Sequence, residues 1–174
     1  MNINRRSAIK YFVIISAGAA LLPTCKPSPK KISTYNNIPI DEDQQALLAE
    51  IAGTIIPDNN TPGAKGVSAH IFALQMLNDC YEQEDRDRFL KGMQQLRDDV
   101  KKNYGKSFIE CAAGEREKII ANINAQKDSK DDAAFFYNTL KHLAIRGYTG
   151  SKYYLTTIDI YQQVPGKFKS SVPV

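Results

Sequence analysis

Histidines and acidic residues are the side chains of this sequence with the most evident chemical capacity. The only two histidines, His70 and His142, lie far apart in the chain. A nucleophile, a base and an orienting group cannot be assigned around either one, as a catalytic triad would require. We expect each histidine to be a partly exposed polar residue or a structural hydrogen-bonding group. The sequence therefore predicts no catalytic residue.

Acidic residues are concentrated in two stretches. Four acids lie between Glu82 and Asp87, at the predicted start of a helix, where the helix dipole favours negative charge. The Asp58-Asn59-Asn60 stretch is rich in oxygen atoms, but it lacks the further acids of an EF-hand calcium loop. Both stretches are explained by local structure, and neither predicts a metal site or an acid–base pair.

Sequence motifs that bind cofactors are absent from this chain. It contains no G-x-G-x-x-G turn for a dinucleotide, no C-x-x-C-H for c-type haem and no H-E-x-x-H for zinc. We therefore expect no cofactor and no metal in this chain, and we predict that it is not an enzyme.

Three cysteines are present, at positions 25, 80 and 111. Cys25 directly follows an apolar segment, whereas Cys80 and Cys111 form an even pair. The pair is compatible with a disulfide in an oxidising compartment and equally with two buried free thiols.

Residues 1–24 have the order of a secretory signal peptide: a basic head, an apolar run and a cleavage site. The apolar run, at 11–22, is shorter than the roughly 20 residues that span a bilayer as a helix. Arg5 and Arg6 resemble the pair of a twin-arginine export signal, although Ala8 stands where Phe is usual. An ordinary Sec signal is the alternative.

The end of the apolar run, Leu22-Pro23-Thr24-Cys25, resembles a bacterial lipoprotein box. In such proteins the cysteine becomes the first mature residue and carries several acyl chains, which together anchor firmly. We therefore expect Cys25 to be a lipid-attachment site and 25–40 to be a lipidated N-terminus and tether. The protein is then expected on the periplasmic side of an envelope membrane. A plain cleavage site with a chance cysteine is the alternative.

Residues 41–174 are predicted to form a single compact domain of the all-α class with about five to six helices. The formal charge of +4 falls to about +1 once the three basic residues of the signal are removed, so nucleic-acid binding is not expected. Asp41 and Gln44 predict a capping box. The first predicted helix begins at Asp41 and ends before Pro57, and the second begins at Val67 or Ser68. The third runs from about Glu84 to Tyr104, with Gly105 after it. Two further helices are predicted over Glu115–Ile123 and over Ala133–Arg146, the latter ended by Gly147, and the pattern over Ser151–Ile160 predicts a last helix less strongly.

Two stretches, IIPDNNTPGAKGVSAHIF (55–72) and FFYNTLKHLAIRGYTGS (135–151), resemble the gluconate 2-dehydrogenase subunit 3 family. The first carries the helix end Ile55-Ile56-Pro57 and the turn Thr61-Pro62-Gly63-Ala64. A third match is Val164-Pro165-Gly166, and the resemblance spans about 41–168.

The resemblance implies an accessory subunit of an oxidoreductase complex. In such complexes a large flavoprotein containing FAD oxidises a sugar or sugar acid, and a cytochrome c takes the electrons. The small subunit is expected to assist maturation of the flavoprotein and to carry it across the membrane on its own signal. The alternative is a free-standing helical envelope lipoprotein with a binding role.

A partner-docking surface is predicted from the 57–66 loop and the segment after residue 146, because tyrosines are enriched at interfaces and four of them lie in the poorly periodic C-terminal part. The candidate docking residues are Pro57, Thr61, Pro62, Gly63, Ala64, Gly147, Tyr148, Tyr153 and Tyr154.

Overall fold

The computed structural model describes residues 35–125, 131–159, 161, 162 and 166. The predicted export residues Arg5 and Arg6, the predicted lipid-attachment residue Cys25 and the predicted tether up to residue 34 lie outside the described residues. The rest of the predicted tether, at 35–40, is part of the helical domain, because Ile38 and Ile40 are fully buried in its core. All described residues belong to one compact unit, Lys31–Val174. Within them, no helix combines the length and the apolar character needed to cross a membrane.

Helices dominate the described part of the chain, which confirms the predicted all-α class. A 3-10 turn, Phe108–Glu110, joins the third helix to the fourth, and a π-helical turn, Tyr154–Ile158, follows the fifth. The five α-helices are α1 (Glu42–Ile55), α2 (Ala69–Cys80), α3 (Gln83–Tyr104), α4 (Ala113–Ala125) and α5 (Asp132–Thr149).

Local capping interactions set the helix ends that the sequence predicts. At α1, Gln44 N–H donates to Asp41 Oδ1 at 2.7 Å and Asp41 N–H donates to Gln44 Oε1 at 3.0 Å, which is the predicted capping box. Gly105 follows α3 with φ 70°, in the left-handed region that glycine adopts at little cost. Asp131 Oδ1 accepts from Ala133 N–H at 3.2 Å and caps α5.

Helix α5 is the centre of the fold, because α3 and α2 pack along it and α1 and α4 also contact it. The backbones of α3 and α5 approach very closely at Gly92. A Cβ atom at this position would lie 1.9 Å from the carbonyl oxygen of Asp132 and 2.7 Å from Phe136 Cβ. Only glycine fits there, so Gly92 sets the distance between the two helices.

Charged residues of α3 reinforce the same contact at the start of α5. Lys91 Nζ lies 2.7 Å from Asp132 Oδ2, and Arg88 Nε lies 3.1 Å from Asp132 Oδ1. The hydrogen bond from Lys91, and then that from Arg88, lower the pKa of Asp132. The Arg88 guanidinium also lies 4.3 Å from the centre of the Phe135 ring. This end of α5 is therefore held on α3 by charge as well as by backbone contact.

The hydrophobic core lies around α5 and draws on all five helices. The rings of Phe89 and Phe136 meet at 4.8 Å between centroids, a distance favourable for a tilted aromatic pair. The largest fully buried side chains are Phe89, Phe136, Ile38, Ile40, Leu48, Ile51, Leu74, Leu77, Met93, Leu96, Leu140 and Leu143.

The predicted end of α5 at Gly147 is wrong. The helix continues to Thr149, and Gly150 N–H donates to Arg146 O at 2.9 Å just after it. Glycine inside a helix costs about 1 kcal/mol relative to alanine, but here it lets α5 approach Phe72 of α2 closely. The predicted helix over Ser151–Ile160 is confirmed in part, because residues 152–158 are helical and Tyr154–Ile158 form the π-helical turn.

Replacing Gly92 with Ala is expected to lower the free energy of unfolding by about 3 kcal/mol or more, because the added methyl overlaps backbone that cannot move independently. Urea denaturation of the purified protein, followed by circular dichroism, measures the change. Gly114→Ala is the matched control: it adds the same methyl in a helix where nothing lies within 4 Å. The control should leave stability unchanged or raise it by up to about 1 kcal/mol. Equal effects of the two substitutions would contradict the close-approach argument.

Candidate partner-docking site

The loop at 57–66 folds back over the end of α1 through a set of backbone hydrogen bonds. Ile56 is extended, with φ −129° and ψ 93°, as expected before a proline. Ala64 N–H donates to Ile56 O at 2.9 Å, and Gly63 N–H donates to Asp58 Oδ1 at 2.5 Å. Asn59 N–H donates to Thr61 O at 3.1 Å. The loop therefore has a fixed shape, which the Asp58 carboxylate helps to hold.

Glycine is required at position 63 because of this shape. A Cβ atom there would lie 2.3 Å from Ile56 O and 2.5 Å from the carbonyl carbon of Pro57. Gly63 and Ala64 are both buried, whereas Pro57, Thr61 and Pro62 are exposed. The Thr61-Pro62-Gly63-Ala64 stretch thus has an internal half that shapes the loop and an exposed half that a partner can contact.

Four alanines connect this loop to the helices behind it. Ala52 of α1, Ala64 of the loop, Ala69 of α2 and Ala144 of α5 form one buried cluster, which we call the alanine cluster. Small side chains let the backbones around them come close together. Ile56, Val67 and Tyr148 pack against the rim of the cluster. The structure therefore brings together the 57–66 loop and the C-terminal end of α5, two predicted docking segments that lie far apart in the sequence.

Gly147 has a packing role in this arrangement. A Cβ atom at Gly147 would lie 3.0 Å from Phe72 Cβ and 3.1 Å from Ala69 O. Gly147 is buried against α2. Gly63 and Ala64 are also buried, so these three predicted docking residues lie beneath the surface, and their part in docking stays a prediction.

The tyrosines after α5 lie at the edge of the same region. Tyr148 and Tyr154 pack edge to face, with ring centroids 5.6 Å apart. Tyr148, Tyr153 and Tyr154 are half-buried. Next to them are apolar side chains that the sequence reasoning did not select: Ile145 is 40% exposed and Ile158 is 49% exposed. Both isoleucines therefore leave apolar surface in water close in sequence to the predicted docking tyrosines.

Glu50 is a structural residue of this region that the sequence reasoning also missed. Its carboxylate forms ion pairs with Lys65 of the loop and, at 2.6 Å, with Arg116 Nη1 of α4. Arg116 also donates to the carbonyl oxygen of Phe108 at 3.2 Å. Glu50 therefore connects the loop, α1 and α4. No sequence motif marks it, because its two partners come from separate segments.

His70 departs from the prediction of a partly exposed or hydrogen-bonded side chain. It is only 8% exposed, and its Nδ1 atom is buried without a hydrogen-bond partner. Burial, and to a lesser degree the nearby Lys65 ammonium, lower the pKa of His70. The second histidine, His142, is exposed.

Both remaining cysteines are free thiols in this structure, so the disulfide alternative for Cys80 and Cys111 is not formed. Cys80 is exposed at the end of α2, whereas Cys111 is buried and its Sγ lies 3.4 Å from Ser107 O. Burial is also the main reason that the pKa of the Cys111 thiol is raised. Among the described residues, no group of three or more histidine, cysteine, aspartate and glutamate side chains is placed to hold a metal ion.

Comparison with known proteins gives one match. A family model described as gluconate 2-dehydrogenase subunit 3 matches residues 42–166, which include all five α-helices. No curated protein and no solved structure matches this chain.

The buried histidine predicts a pH dependence of stability. Because its folded-state pKa lies below the unfolded value of about 6.5, the unfolded chain binds the proton more readily. The contribution of His70 is therefore present above pH 6.5 and is lost as the pH falls through the folded-state pKa. Lys65 adds to this effect by repelling the imidazolium. The charged residue of α1 that faces His70 is Glu42, which lines the same groove.

Chemical denaturation between pH 7.5 and pH 5 is the measurement. We expect His70→Gln, which does not titrate, to lose less stability over this range than the unsubstituted protein. His142→Gln is the control, because it makes the same replacement at an exposed position of α5. Identical profiles for the protein and the His70→Gln variant would show that His70 does not titrate with folding.

Proposed function

Because this chain belongs to the gluconate 2-dehydrogenase subunit 3 family, we propose that it is a non-catalytic accessory subunit of an exported dehydrogenase complex. Its large partner is an FAD-dependent subunit that oxidises a sugar or sugar acid. In this proposal a cytochrome c accepts the electrons. The small subunit assists maturation of the flavoprotein and carries it across the membrane.

The observation that best supports the proposal is the meeting of two segments at the alanine cluster. The 57–66 loop and the end of α5 belong to the two stretches, 55–72 and 135–151, that resemble the family in sequence. They lie about 80 residues apart, yet Ala64 and Ala144 are in the same buried cluster. A single surface built from both segments suits a role in recognition.

The docking surface that we propose contains exposed and half-buried residues only. Tyrosines at its centre offer large contact areas and lose little conformational entropy on binding, as is typical of interface hot spots. Its members are Pro57, Thr61, Pro62, Ile145, Tyr148, Tyr153, Tyr154 and Ile158.

The export route and the anchor are part of the same proposal. Arg5 and Arg6 direct the folded complex to twin-arginine export, and acylated Cys25 then holds it on the periplasmic side of an envelope membrane. In this proposal the chain after Cys25 joins the lipid anchor to the helical domain, to whose core Ile38 and Ile40 already belong. A twin-arginine signal serves cargo that is already folded, usually around a cofactor. In this proposal the small subunit has no cofactor of its own, and the cargo that needs the signal is the partner that carries FAD.

Purification of the complex tests the docking surface. The protein, with a tag at its C-terminus, is isolated from detergent-solubilised envelope, and the eluate is examined for flavin absorbance and for a large chain in near-equal amount. Ile158→Ser is expected to weaken partner binding about tenfold, because it removes an apolar contact from the proposed surface. Ile109→Ser is the matched control: Ile109 is similarly exposed, at 38%, but lies on the 3-10 turn. A colourless eluate without a large chain would favour the free-standing lipoprotein.

Substitution of both signal arginines by lysine tests the export route. The change keeps the positive charge, so a Sec signal should still function, whereas a twin-arginine receptor should fail to recognise it. We expect this chain and the flavoprotein to remain together in the cytoplasmic fraction, as measured by immunoblotting and flavin content. Normal appearance of both proteins in the envelope would contradict twin-arginine export by this subunit.

A further inference from the structure

A groove of about 390 Å³ lies between the first half of α1 and the start of α2. It is lined by Glu42, Gln45, Ala46, Ala49 and His70. The two alanines leave space above α1, and His70 lines the groove beside them.

His70 has hydrogen-bonding capacity that the folded chain does not use. A neutral imidazole has one N–H donor and one acceptor nitrogen. Its Nδ1 atom is buried without a partner, and a buried acceptor without a partner is tolerated more readily than a buried donor. The proton is therefore assigned to Nε2. Within the described residues, Nε2 has no hydrogen-bond partner, and it is not one of the buried atoms without a partner. Nε2 is therefore accessible, and because His70 lines the groove, we take its N–H to face the groove.

The surroundings of His70 favour a negatively charged group. His70 is the second residue of α2, whose first turn contains no acid and whose N-cap residue, Ser68, makes no side-chain capping bond. Among the described residues, no backbone or side-chain group accepts the His70 backbone N–H. The positive end of the α2 dipole is thus uncompensated. Lys65, whose ammonium is paired with Glu50, lies near enough to lower the pKa of His70. The acid on the groove wall, Glu42, is exposed in the first turn of α1.

We propose that this groove receives a carboxylate side chain of the large partner subunit, to which Nε2–H of His70 donates a hydrogen bond. The proposal rests on the proposed function, because it names one contact by which the accessory subunit holds its partner. Charge complementarity with the uncompensated start of α2 selects a carboxylate as the occupant.

The groove lies close to the 57–66 loop, which carries part of the proposed docking surface. Ala49, on the groove wall, lies one helical turn before Ala52 of the alanine cluster, and Lys65 of the loop is near enough to His70 to lower its pKa. A partner bound to the loop is therefore placed to reach the groove. Closure of the groove would bury the hydrogen bond and remove it from competition with water, which makes such a contact stronger.

The dissociation constant of the purified complex, measured with the full-length protein in detergent and the isolated large subunit, tests the contact. His70→Leu removes the donor and is expected to weaken binding about tenfold. His70→Gln is the matched control, because its amide N–H₂ takes the place of Nε2–H and should retain most of the affinity. Thermal unfolding of both variants confirms that they are folded. Unchanged binding of folded His70→Leu would overturn the inference and leave the accessory role intact.

Nuclear magnetic resonance of ¹⁵N-histidine-labelled protein gives a second readout, which a merely structural role would not change. A carboxylate next to His70 should raise its titration midpoint in the complex, whereas a backbone carbonyl would leave the midpoint where it is in the free protein. The charged groups otherwise facing His70 are Glu42 and Lys65. Measuring the midpoint in Glu42→Gln, in the free and bound states, separates the effect of the Glu42 charge from that of the partner's carboxylate. An unshifted midpoint would overturn the carboxylate assignment. Failure of the unsubstituted protein to bind the large subunit would instead overturn the proposed function.

Discussion

Close backbone contact along α5 is the constraint on which the rest of the structure depends. Gly92 lets α3 approach the start of this helix, and Gly147 lets α2 approach its end. Between these two points the core side chains of four other helices fill the space around α5. A methyl group at Gly92 would separate the helices and open the core, because a close-packed interior cannot absorb such a displacement. The two glycines therefore set the positions of the helices that carry the docking surface.

Small side chains also shape the proposed docking surface. The alanine cluster lets the 57–66 loop lie directly on α1, α2 and α5, and Gly63 lets the loop fold over the end of α1. The small residues of the family-like motif thus shape the loop, and the exposed prolines and half-buried tyrosines around them form the surface that we propose for docking. Glu50 adds electrostatic support from beneath, through Lys65 and Arg116. Within this one short stretch, buried residues set the shape of the loop, and their exposed neighbours are the residues that we propose for contact with a partner.

Sequence reasoning succeeded where hydrogen bonds are local and failed where packing is long-range. The capping box of Asp41 and Gln44 and the left-handed Gly105 involve residues within one turn of each other, so their types alone indicate the helix ends. Gly147 has the type of a helix-ending residue, but its contact with Phe72 of another helix makes it an interior position. His70 looked like a polar surface residue, and only the groove walls contributed by α1 reveal that it is buried.

The sequence by itself determined the all-α class, most helix boundaries and the family, because these follow from periodicity, capping and motifs that neighbouring residues encode. Tertiary structure alone decided which residues of those motifs are available to a partner. Burial of Gly63, Ala64 and Gly147, exposure of Ile145 and Ile158, and the unpartnered state of His70 all depend on contacts between distant segments. Such contacts arise from the relative positions of whole helices, and no single stretch of sequence carries that information.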